Sequence, residues 1–73
     1  MARALNRLGK RIRALRLERE LTQGEAAKIA KLDEKHWQEI EGARTNPTVA
    51  TLVGVARALE VTLSELFEHG DEK

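Results

Sequence analysis

The chain has 73 residues, with 13 basic and 12 acidic side chains, a formal net charge of +1, and no cysteine. One domain fits that length, and it hides only about 60% of its unfolded surface, a modest core that oligomerisation would supplement; without cysteine there are no disulfides, zinc–thiolate sites or thiol catalysis, which suits a reducing cytoplasm. The longest charge-free stretch, around 46–56, carries Asn, Pro and Thr and falls far short of the roughly 20 apolar residues of a membrane span, and no opening pattern reads as a secretion signal.

Leu5, Leu8, Ile12 and Leu15 recur at helical spacing and predict an amphipathic helix over about 4–19. Residues 1–19 hold seven basic side chains against Glu18 alone, whereas the rest of the chain holds six basic against eleven acidic groups. A helix face this basic either attracts a polyanion or is simply a solvated face. Thr22 then begins Thr-x-x-Glu with Glu25, a capping box that satisfies two orphan amides at a helix start. A short alanine-rich helix follows over Gln23–Ala30. The turn Lys31-Leu32 leads to Asp33, a residue suited to capping the third helix, Glu34–Glu41, in which Trp37 and Ile40 share a face.

Residues 42–47 hold a Gly, an Asn and the only Pro, and read as a loop. Thr48 is expected to cap a fourth helix with Val49, Leu52, Ala56 and Leu59 inward. A second capping box, Thr62-x-x-Glu65, opens a last helix carrying Leu63, Leu66 and Phe67 and ending near Gly70. Nothing alternates with period two. The expectation is a single all-α domain over 1–73, five helices with an ordered core over about 4–69 and a frayed tail over 70–73.

Leu21-Thr22-Gln23, Glu25, Ala27, Trp37, Ile40-Glu41, Asn46-Pro47 and Ala56-x-x-Leu59-x-Val61-x-Leu63-x-x-Leu66-Phe67 stand in one ordered set over about 5–68. That set resembles the lambda-repressor-like (XRE or Cro-type) helix-turn-helix DNA-binding domains. The resemblance implies a compact five-helix fold whose helices 2 and 3 form the helix-turn-helix. It also implies a homodimeric transcriptional regulator of bacterial or phage type that lays its third helix in the major groove of a near-palindromic duplex operator. Base-reading positions fall on Glu34, Lys35 and Glu39, with His36 and Gln38 near the edge. Lys35 suits guanine O6 or N7, and a glutamate suits cytosine N4.

Phosphate contacts are expected from the first turn of the second helix, where the Gln23 amide, Thr22 and free backbone N–H groups meet the positive helix end. Arg44, Thr45 and Asn46 in the following loop, and Arg16, complete that set. In relatives the residue at Glu41 faces inward and pairs with the arginine at Arg16, so Arg16–Glu41 is expected as a structural salt bridge. Trp37 reads as core rather than as a stacking aromatic, opposite Ala26, where relatives have a larger side chain. Leu63 and Phe67 either extend an apolar face toward a two-fold partner or complete the monomer core. Four departures stand out: Lys31 replaces the usual turn glycine, Gly24 weakens a helix start, Gly42-Ala43 inverts the usual order, and Glu39 stands where a cation or amide is frequent.

Two other classes compete. Ser64 is the only serine, Tyr and Cys are missing, and His36 and His69 lack ligand spacing. Catalysis, metal, cofactor and small-molecule ligand are therefore not expected. A protein-interaction module on the same fold is the stronger rival, because 33–41 hold four acids and one base. If Asp33 is engaged at the cap and Glu41 faces inward, the face left to DNA carries Glu34, Glu39 and Lys35 and is near neutral.

Overall fold

The computed structural model describes residues 2–68, and among them it has five helices and no strand: α1 (Ala2–Glu18), α2 (Gln23–Ala30), α3 (Glu34–Glu41), α4 (Val49–Leu59) and α5 (Leu63–Leu66). The expected helix end near Gly70 and the tail over 70–73 lie outside the described residues. α2 packs chiefly on α4 and α3, α1 lies against α3 and α5, and α4 also meets α5. One core joins all five, built from Leu8, Ile12 and Leu15, the alanines of α2, Trp37, Ile40, the α4 stripe and Leu66. Trp37 and Ala26 are both fully buried in the same core, a large residue and a small one sharing an interior that stays filled. Val49, expected on the inner face of α4, is 68% exposed. The buried stripe starts one turn later, at Leu52, and runs through Val55, Ala56 and Leu59, so the first-turn valine overhangs the core.

Thr22, Thr48 and Thr62 each accept an N–H in the first turn of their helices, and Thr22 and Thr62 complete capping boxes. Asp33 differs from expectation. It occupies the N-cap position of α3 in extended backbone, but its side chain accepts no capping hydrogen bond, so its carboxylate remains an exposed charge.

Four helices close by one device. Glu20, Lys31, Ala43 and Glu60 adopt left-handed backbone, with φ of 58°, 62°, 58° and 57°. The next amide in each case reaches back to a carbonyl in the last turn: Leu21 to Arg16, Leu32 to Ala27, Arg44 to Glu39 and Val61 to Ala56. Glycine favours this closing position because it lacks a Cβ, yet none of these four is glycine. Glycine instead serves close approach. A Cβ on Gly9 would stand 2.5 Å from the Glu41 carbonyl oxygen and 2.9 Å from that of Ile40, so α1 can touch the end of α3 only through a bare Cα.

Candidate nucleic-acid interface

Glu41, the last residue of α3, is the hub from which the site is built. Arg16 Nε donates to Glu41 Oε2 at 2.6 Å and Arg16 Nη2 to Oε1 at 3.2 Å. Gln23 Nε2 donates to the same Oε1 at 3.0 Å, and the indole N–H of Trp37 donates to Oε2. A further Arg16 nitrogen reaches the Leu21 carbonyl at 2.8 Å. The Arg16 and Glu41 side chains are only 9% and 5% exposed. Burial pushes the Glu41 carboxyl up, but the hydrogen bonds from Arg16, Trp37 and Gln23, with the Arg16 charge, outweigh it and hold the group below its ordinary value. The cage fixes α1, the start of α2 and α3 against one another, and thereby sets the angle at which α3 stands out.

Two residues expected on phosphates are engaged here instead. Arg16 is buried, with donors on Glu41 and Leu21, so it belongs to the structural bridge. Gln23 is half-buried, with its amide turned inward to Glu41, because the carboxylate beneath it is the nearest strong acceptor. Thr22 is exposed, and its hydroxyl oxygen accepts the Glu25 N–H while its own N–H goes to Glu25 Oε1. What the α2 start still presents is the backbone N–H of its first residues, which no helix satisfies internally. The Trp37 bond to Glu41 escaped the sequence reading, although an indole one turn before a glutamate on one helix face is a signal that could have found it.

The outward face of α3 carries Glu34, Lys35 and Gln38 exposed, with His36 and Glu39 half-buried. Gln38 Nε2 donates to Glu34 Oε2 at 3.4 Å. Lys35, Gln38, Glu39 and Arg44 line one shallow depression. Arg44 reaches it for a local reason. At the corresponding position after α1, α2 and α4, the closing turn sets Leu21, Leu32 and Val61 against the core, as is usual for such turns. After α3 it sets an arginine there, and that arginine is exposed. Thr45 is half-buried and Asn46 exposed just beyond it. With the exposed Asp33 beside it, the face is mixed: Lys35 and Arg44 against Asp33, Glu34 and Glu39.

The basic helix α1 divides into two sets. Arg11 Nε donates to the Glu65 carbonyl at 3.0 Å and pairs with Glu68 at 3.6 Å, while Arg19 Nε donates to the Leu59 carbonyl at 2.6 Å and pairs with Glu60 at 3.1 Å. With Arg16, these three hold the fold together, fastening α1 to the ends of α3, α4 and α5. Arg3, Lys10 and Arg13 remain exposed. At the far end, Leu66 is fully buried, Leu63 packs partly on the core and Phe67 is 48% exposed. No group of three or more metal-ligating side chains, and no helix long and apolar enough to cross a membrane, occurs among the described residues.

Comparison with known proteins agrees with this fold. A family model described as a helix-turn-helix domain matches residues 7–68. The immunity repressor protein of Bacillus phage phi105 is 42% identical over 59 residues; the match covers 81% of this chain, which spans 41% of that repressor's length. An uncharacterized HTH-type transcriptional regulator of Sinorhizobium fredii is 37% identical, with 89% of this chain and 84% of that protein covered. Among solved structures, the restriction-modification controller protein C.AhdI of Aeromonas hydrophila superposes with a TM-score of 0.85 at 30% identity, covering 86% of this chain and 96% of that one. A hypothetical transcription factor from Neisseria superposes with a TM-score of 0.88 at 25% identity, covering 94% and 79%.

Proposed function

Because this chain belongs to the helix-turn-helix family of transcriptional regulators, which are not enzymes, we propose that it binds double-stranded DNA in a sequence-specific way, with α3 in the major groove. The observation that carries this reading is the depression shared by Lys35, Gln38, Glu39 and Arg44. Base-reading chemistry on α3 and a cation at its exit meet there. Lys35 donates to a guanine edge and Glu39 accepts from a cytosine amine, with Glu34, Gln38 and His36 along the rim. Arg44, Thr45 and Asn46 hold the backbone beyond, and the open amides of the α2 start, beside Thr22 and Gln23, take a phosphate at the other side.

Two copies act together, joined through α5. An exposed Phe67 beside the partly covered Leu63 supports this, and a two-fold dimer reads a near-palindromic operator with half-site centres about 10–10.5 bp apart. The acidic residues Asp33, Glu34 and Glu39 favour a second reading, in which the same face meets a basic partner protein.

Titration of labelled duplexes across a salt series separates the two. Duplex binding with a steep salt dependence is expected. In Arg44→Ala the log–log slope flattens by roughly 0.9 and affinity falls alike for all sequences, whereas Lys35→Ala and Glu39→Ala change base preference. No duplex binding at low salt refutes the DNA reading and leaves the partner-protein one. An Arg44→Ala variant with altered preference and an unchanged slope refutes the division of labour.

A further inference from the structure

Three exposed cations of α1, Arg3, Lys10 and Arg13, have no hydrogen-bond or ion-pair partner among the described residues. Arg3, Asn6, Arg7 and Lys10 line a surface depression along one face of α1, and Arg13 continues it, exposed, on the next turn. These residues work against the helix that carries them. α1 has no acid in its first turn, where the helix dipole favours one, and Arg3 stands there instead. Arg3 and Arg7 lie four residues apart, and Arg7, Lys10 and Arg13 follow at intervals of three, spacings at which like charges repel on a helix surface. Arg11 and Arg16 of α1, and Arg19 just past its end, have carbonyl and carboxylate partners that explain them. Arg3, Lys10 and Arg13 lower helix stability, and among the described residues no hydrogen bond or ion pair offsets that cost.

The α3 face meanwhile lacks the charge its proposed role needs. With Asp33 uncapped, that face has two cations, Lys35 and Arg44, against three carboxylates, and a helix of that balance is repelled by a phosphate-lined groove. α1 is fastened to the C-terminal end of α3 through the bare Cα of Gly9, and the Arg3–Lys10 depression lies on another side of the same helix. Arg3 and Lys10 are separated by about 10.5 Å of helix rise, the axial length of about three phosphates on one strand.

Resting on the duplex reading above, we infer that the Arg3–Lys10 face of α1, extended by Arg13, is a second phosphate-binding strip that grips the DNA backbone outside the α3 groove and offsets the acidity of α3. It carries no sequence information.

The test compares the unaltered chain with Arg3→Gln/Lys10→Gln. Each is titrated with an operator duplex and with an unrelated duplex over a salt series, and melting is followed by circular dichroism. With one phosphate per side chain, the slope flattens by about 1.8, so that raising salt from about 50 to 200 mM costs the unaltered chain about 12-fold more affinity than the variant. The loss is equal on both duplexes, and the melting temperature is unchanged or raised because a repulsion has been removed. An unchanged slope and affinity in the variant overturns the strip and leaves the α3 reading standing. Weaker binding accompanied by a lowered melting temperature overturns it in favour of a structural role. A parent chain that binds no duplex overturns both readings at once.

Discussion

Alanine at Glu41 removes the acceptor of four hydrogen bonds, two from Arg16 and one each from Gln23 and Trp37. Arg16 is then left buried with only the Leu21 carbonyl for company. Stranding one member of a buried ion pair costs about 3–5 kcal/mol. A domain of this length holds about 4–11 kcal/mol in all, so Glu41→Ala brings the fold close to its limit. At roughly 4–8 °C per kcal/mol for a domain of this size, the melting temperature falls by at least about 12 °C. Thermal and urea unfolding followed by circular dichroism measures this. The double variant Arg16→Met/Glu41→Leu recovers part of the loss, because charge and counter-charge leave together. A Glu41→Ala cost below about 1 kcal/mol, or a double variant no better than the single one, refutes the reasoning.

The same carboxylate sets a pH dependence. Its hydrogen bonds and the Arg16 charge prevail over burial and lower its folded value from the ordinary 4.5. Its stabilisation is therefore complete above that pH and is lost as the pH falls through the lower folded value. Glu41→Gln makes the acid limb of the stability curve shallower; an identical limb in parent and variant contradicts the assignment.

Three more outcomes follow from the packing. Gly9→Ala forces a methyl onto the Glu41 and Ile40 carbonyls and costs about 1–3 kcal/mol or more in urea unfolding; a neutral result means the helices do not meet as described. Lys31→Gly relieves a left-handed lysine at φ 62° and raises stability by about 0.5–1 kcal/mol, read as a higher melting temperature; a fall contradicts the strain. Phe67→Ser converts a dimer to a monomer in sedimentation while the helical spectrum persists; a monomeric parent chain contradicts the proposed pairing.

The helices were legible because three carry their own start signals, Thr22, Thr48 and Thr62, and all of the longer ones carry apolar residues at helical spacing. α2 and α3 match their expected bounds. Asp33 was not legible, since a residue type suited to capping does not fix whether its rotamer turns back to the helix. Val49 failed for another reason: periodicity assigns a face but not where along a helix the core begins. The inward turn of Gln23 was hidden because its partner lies 18 positions away. Seven basic residues in one segment looked like one feature, yet three fasten α1 to the rest of the protein. Only long-range geometry separates those from the exposed ones.

Selection of bound sequences from random duplex DNA at stated salt asks whether α3 reads a groove. The expected product is a pair of two-fold-related half-sites with centres about 10–10.5 bp apart, containing a guanine whose enrichment disappears in Lys35→Ala. A pool that shows no enrichment, or one whose consensus is untouched by both Lys35→Ala and Glu39→Ala, contradicts a reading helix at 34–41.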